Sequence, residues 1–480
     1  MSSREAAWRT RRGGGRPPQI QAPRAAGRPL DSLEQLATKD RKIRKRVDLR
    51  GLSGLAVLLL LSADLTEAQS SEEELRALGY ISHPGESARK TLAGKTGLVA
   101  HRPAEVAPGF TLITALPEAS AVLVDVEGRT VREWRDPNAR QWARAILLDN
   151  GDVFVKGRLD AGQKKLSRAA RGGGSPATDP LDGEPWYPLD GHYLARYGWD
   201  GTLEWRRGAI VHHDMEVDDR GRILTLGLGS REVEGQRIID HRIVLLSPTG
   251  EKKARYSLFA LLSSNPEVFE LPLTTDHPAA LFADGRLDLL HSNAIERMPF
   301  DHLLDRGGIY CRTCVLVTVR HQNLVAVFDL ELEKLLWVWG PGELEFPHEG
   351  RWLKNGNVLI FDNGSERRGY SRIVEVEPAS GKIVWSYTAI RPKDFYSEGR
   401  GTSQALANGN VLIASSNQGK VFEVTRAGRV VWLYAVRDSN GNLVAMRAEK
   451  YPPTKVEPLL SPSFAGSGGA DSAPAQGAIR

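Results

Sequence analysis

WLKNGNVLIF (352–361) and IVEVEPASGKIVWSY (373–387) stand in series, and each reads as a β-hairpin: apolar and polar residues alternate on both sides of a Gly-containing turn. The second unit recurs as VLVDVEGRTVREW (122–134), YLARYGWDGTLEW (193–205), IVLLSPTGEKKARY (243–256), VAVFDLELEKLLWVW (325–339) and VFEVTRAGRVVWLY (421–434). That makes six copies, one of which replaces the Gly turn with Leu-Glu-Lys. The first unit recurs as ILLDNGDVFV (146–155), VDDRGRILTL (217–226) and ALANGNVLIA (405–414). Two hairpins in series make a four-stranded blade, and six blades predict an all-β, six-bladed β-propeller. A β-sandwich would not repeat a two-hairpin unit. The ends agree with a ring. PGFTLITA (108–115) supplies one strand before the first outer hairpin but no innermost strand. Leu443–Lys450 is therefore expected to pair into blade one and close the ring.

The 48 Gly, 27 Pro and 11 Trp suit many short strands joined by tight turns rather than a helical bundle. The net charge of +5 is misleading, because residues 1–46 hold 13 Lys/Arg against 4 Asp/Glu. The remainder is mildly acidic, which gives no support to a nucleic-acid-binding face. The basic opening has few apolar residues and is expected to be a disordered leader over 1–46. Arg41–Arg46 then precede the apolar run Leu52–Leu61 and a polar exit. Those three zones match a secretory signal, and the run is short for a membrane span. Residues 47–69 are thus expected to be a signal peptide or an uncleaved anchor, with membrane attachment through 52–61. The expected location is outside the inner membrane, periplasmic or anchored facing the periplasm. A linker over 70–100, the propeller over 101–452 and a flexible Gly/Ser/Ala-rich tail over 453–480 complete the division.

Cys311 and Cys314, in CRTC, are the two cysteines of the chain. A lone pair cannot supply a four-ligand zinc site. In an exported protein a local disulfide is expected, the alternative being two reduced thiols at a strand edge.

The unusual polar residues fall at the starts of the innermost strands. His213 lies seven residues before Arg220 of its turn, and His348 lies seven before Asn355. HSNAIE (291–296) brings His291 and Asn293 to the corresponding point of blade four, and Arg320 closes its second strand. Thr402 and Ser403 stand at the matching place in blade six. A single histidine at a strand start is usually structural; three at equivalent starts, with an Arg and an Asn, point to a site. Asp214 and Glu349 each follow a histidine and, by strand alternation, face away from it, so no paired-carboxylate glycosidase is indicated. Three histidines could hold a metal, but Arg320 beside them favours an anion over a divalent cation. His212 is expected to support His213 and the substrate rather than react.

HHDMEVDDRGRIL (212–224), HSNAIE, VTVRHQNLVAVFDLE (317–331), FPHEGRWLKNGNVLIFDNG (346–364), SRIVEVEP (371–378) and GTSQALANGNVLI (401–413) together resemble the bacterial arylsulfotransferases, the PAPS-independent aryl-sulfate sulfotransferases. The resemblance implies transfer of a sulfuryl group from a phenolic sulfate ester to a phenolic acceptor through a sulfo-histidine, without cofactor or metal. It assigns His348 as nucleophile, His213, His291 and Arg320 as the other catalytic groups, Asn293 as substrate-binding, and Thr402, or its neighbour Ser403, in that same role; His212 is expected beside them on register. No phosphate-cradling loop appears, and GRGTS (399–403) has the wrong spacing for one. Two other classes stay open: a non-catalytic propeller that captures an anion or a partner chain, and a metal-dependent hydrolase or lyase.

Overall fold

The computed structural model describes residues 92, 94–116, 118–159, 191–208, 211–442 and 444–461. Every sheet is antiparallel, and six of them follow one another around a ring. Blade one runs from Arg447–Tyr451, innermost, through Phe110–Thr114 and Ser120–Val124 to Thr130–Arg135. Blade two comprises Ala139–Leu147, Val153–Leu159, His192–Tyr197 and Leu203–Gly208, and blade three His212–Val217, Ile223–Val233, Gln236–Leu246 and Lys252–Ser257. Blade four comprises Ser292–Arg297, Cys314–Val319, Leu324–Asp329 and Lys334–Trp339, and blade five Glu349–Trp352, Val358–Asp362, Arg372–Glu377 and Lys382–Tyr387. Blade six comprises Thr402–Ala405, Val411–Ser415, Lys420–Val424 and Val430–Ala435, with Gly97–His101 as a fifth strand outside them. The chain folds as a six-bladed β-propeller.

The aromatic residue that ends the outer hairpin has a use that alternation alone does not reveal. Trp134 Nε1 donates to Gly198 O in the outer turn of blade two, at 3.0 Å. Trp339 donates in the same way to Gly381 O of blade five, Trp385 to Arg426 O of blade six, and Trp432 to Val126 O of blade one. Each indole thus buries apolar area while latching its blade to the next. The axial edges of the inner strands present a different problem, since their backbone N–H groups have no further strand to pair with. Carboxylates of the preceding blade meet them. Asp214 accepts from Ile295 N, Glu216 from Arg297 N, Glu296 from Trp352 N and Glu349 from Ser403 N.

The closing strand is Arg447–Tyr451, shorter at its start than Leu443–Lys450; Val444 N instead donates to Val436 O as the chain leaves blade six. Two segments expected to lie outside the propeller carry structure. Gly97–His101, assigned to the linker, pairs with Val430–Ala435 because the outer edge of blade six is open. Pro453–Val456 and Glu457–Leu460, assigned to the tail, form short helical turns whose Val456 and Leu459 pack with Trp142 and Tyr451. Cys311 and Cys314 form a disulfide in the connection between the first two strands of blade four. The proposed leader and signal, 1–69, lie outside the described residues. Among the described residues, no helix is long and apolar enough to cross a membrane.

Candidate functional site

His213 and His291 owe their position to a backbone irregularity. Their φ values are 47° and 44°, in the left-handed region that L-residues seldom enter. At both strands the register slips: the ladder passes from Met215 to His212 in blade three and from Ala294 to Ser292 in blade four. Such bulges re-aim side chains near active sites. Here they bring His213 Nε2 to 3.1 Å from His291 Nε2. His348, just ahead of its inner strand, places its ring centroid 6.3 Å from that of His213. All three are buried. His212 stands behind them, its ring 3.8 Å from His213 and 5.1 Å from His241.

Histidine protonation follows from the fixed partners. Asn363 Nδ2 donates to Ser397 O and to Arg400 O, so its Oδ1 must be the atom that faces His348 Nδ1 at 3.1 Å. Oδ1 can only accept. His348 therefore carries its hydrogen on Nδ1 and keeps a lone pair on Nε2. Burial, and then the Arg320 charge, hold its pKa well below the ordinary histidine value, so the ring is neutral at physiological pH. Burial likewise lowers His213 well below that value, with His212 and His291 adding to the effect.

Arg320 is buried, and burial lowers its pKa to about 10. Its Nη1 donates to His277 Nε2 at 2.8 Å, and the guanidinium lies 5.4 Å from the centre of the Phe346 ring. Among the described residues, Nε has no hydrogen-bond partner. Asn293 Nδ2 reaches Pro347 O at 3.4 Å, while its Oδ1 is buried without a partner. Thr402 and Ser403 share the matching strand start of blade six, and both hydroxyls are buried without a protein acceptor. Gly401 fixes this approach: at φ +150° it lies against Phe361, and a Cβ there would stand 2.2 Å from the ring. No hydrogen bond or ring contact ties Thr402 or Ser403 to the histidines; Ser403 N is bound instead to Glu349.

Several groups were not singled out from the sequence. Asp288 receives His291 Nδ1 at 2.5 Å and His241 Nε2 at 2.9 Å. His321 Nδ1 donates to the Asp288 carbonyl at 2.5 Å, and its ring stacks on His291 at 4.5 Å and 22°. The spacing Asp-Leu-Leu-His was the available signal for Asp288; His241, His277 and His321 stand in loops or outer strands with no repeat to mark them. Among the described residues, Asp288, His291 and His321 are the one group whose donor atoms lie within 4.8 Å of one another. Its geometry suits protons better than an ion. A metal lies in the plane of each imidazole it binds, and two nearly parallel stacked rings cannot both point at one point.

Along the same inner strands, one step beyond the histidines, lies a buried ionic cluster. Arg351 Nη2 reaches Asp214 Oδ2 at 2.7 Å and Glu349 Oε1 at 2.8 Å. Arg447 Nη1 lies 3.1 Å from Glu349 and 3.3 Å from Asp214, and Arg144 joins Asp214 to Glu449. Asp214 and Glu349 thus face arginines rather than the histidines beside them in sequence. Burial raises Glu296 in this region to about 8 and lowers Lys156 to about 7.

Solved structures similar to this chain include a protein of unknown function from Bacteroides caccae, 13% identical, covering 71% of this chain and 98% of that one with a TM-score of 0.44. A catalytically inactive virginiamycin B lyase from Staphylococcus aureus with quinupristin is 12% identical, covering 75% and 88% respectively with a TM-score of 0.36. No curated protein matches the sequence. Residues 199–437, which hold His213, His291, His348, Asn293 and Arg320, match the family model of the arylsulfotransferases (ASST), and the chain belongs to that family.

Proposed function

We propose that this protein transfers a sulfuryl group from a phenolic sulfate ester to a phenol through a sulfo-histidine on His348, and that it does so outside the inner membrane. Family membership supports a sulfotransferase-type activity. The observation that carries the finer reading is the locked His348 tautomer: Asn363 consumes Nδ1 and leaves an unprotonated Nε2 in a buried site. His348 Nε2 attacks sulfur, and the S–O bond pair passes to the departing phenolate. Arg320, through its open Nε, and Asn293 stabilise the sulfonyl oxygens, where a preorganised donor acts most strongly. A neighbouring histidine exchanges the proton with the leaving and entering phenols. Dividing the transfer into two displacements spares the two phenols from meeting on one sulfur. Export rests on Arg41–Leu61 and is tested by the location of the mature chain in fractionated cells; recovery with the cytoplasmic fraction overturns it.

Protein treated with an aryl sulfate alone is expected to gain the mass of one SO₃ on the peptide containing His348, in a digest kept neutral or alkaline. Release of phenolate is expected to require an added phenol and to follow ping-pong kinetics. His348→Asn keeps the fold and does not label. A label on His213 or His291, or steady phenolate release into water alone, overturns this assignment.

A further inference from the structure

The transfer just proposed needs one group that gives a proton to the departing phenolate and takes one from the entering phenol, and His213 and His291 both lie close enough to be that group. Their surroundings differ. His291 Nδ1 faces Asp288 Oδ2 at 2.5 Å, and a carboxylate at that distance holds the hydrogen on Nδ1. The same Asp288 is itself held. Its Oδ1 accepts from His291 N at 3.0 Å and from His241 Nε2 at 2.9 Å. His241 has its own tautomer fixed, because Ser292 N donates to its Nδ1 at 3.2 Å, which leaves the hydrogen on Nε2 for Asp288. His321 covers the other face of the His291 ring. Asp288 is buried, so its charge acts without screening by water.

We propose that Asp288 is the positioning residue that makes His291, rather than His213, the proton carrier. Asp288 keeps the Nδ1 proton in place in both protonation states of His291, so that only Nε2 exchanges. When the donor reacts, the N–S bond forms at His348 and the S–O pair goes to the phenolate. His291 Nε2–H then gives its proton to that oxygen and becomes neutral. In the return step the acceptor O–H gives its proton to His291 Nε2, the acceptor oxygen bonds to sulfur, and the N–S pair returns to His348. Protons and electron pairs balance over the cycle. His213, 3.1 Å away, accepts from His291 Nε2–H while His291 is charged, which aims the ring. This assignment rests on the sulfuryl-transfer reading.

A proton donor matters most when the leaving phenol is weakly acidic, so leaving-group dependence separates positioning from mere support of the fold. Asp288→Asn is expected to lower kcat/KM for phenyl sulfate by about 10²-fold, and for 4-nitrophenyl sulfate by a much smaller factor. His348 still gains SO₃ from the activated donor. An equal loss on both donors overturns the role of Asp288. Absence of the adduct in the native enzyme with either donor overturns sulfuryl transfer itself, so the two failures are distinguishable. Should Asp288→Asn not fold, the native enzyme decides by nitrogen NMR: a hydrogen on His291 Nδ1 at neutral pH is expected, and a bare Nδ1 overturns the proposal.

Discussion

Arg320 holds one arm of its guanidinium on His277 and keeps Nε uncommitted, which is the arrangement of a fork waiting for an anion. A lysine there would retain the charge but lose the planar pair of donors. Arg320→Lys is expected to cost on the order of 10²–10³ in turnover, with the fold and melting temperature little changed; near-normal turnover would place Arg320 outside the chemistry. His213 and His348 were legible in the sequence because each stands seven residues before a blade turn, and His291, Asn293 and Arg320 because they open or close strands of blade four. Asp288, His277, His321 and Asn363 were not. They approach from connections of irregular length, and what matters about them is which ring nitrogen they face, a fact of three dimensions alone. The left-handed φ of His213 and His291 was hidden as well, because no Gly or Asn advertises it.

At the scale of elements, the outer hairpins could be read because alternation and turn residues are local properties. Trp134, Trp339, Trp385 and Trp432 could be read as part of the repeat, but not as donors to the next blade, since their partners lie 41 to 306 residues away. The last of these latches, Trp432 to Val126, spans the same junction as the strand Arg447–Tyr451 beside Phe110–Thr114. Ring closure therefore rests on contacts between the two ends of the propeller. A chain ending at Ala435 loses that strand and exposes the paired edge of Phe110–Thr114. It is expected to melt at a lower temperature than the full chain and to associate through that edge. An unchanged melting temperature would mean that the ring is held together elsewhere.

At the scale of the whole molecule, the inner strands carry two kinds of chemistry within a few residues: histidines at their starts, then Asp214, Glu349, Arg351, Arg447 and Arg144 in one ionic cluster. The cluster joins blades one, two, three and five across the axis, and its charges are paired with one another. Breaking such a buried pair leaves an uncompensated charge, so the cluster is not a gate. On the sulfuryl-transfer reading, the cluster is expected to close the axis beneath the histidines, so that a spent phenol leaves by the mouth through which its successor enters. Added product phenol is then expected to raise the apparent KM for the acceptor without lowering the maximal rate at saturating acceptor. A fall in that maximal rate would reveal a back door. Traffic in such a molecule would be one-lane, and the salt bridges that brace the ring would also set its order.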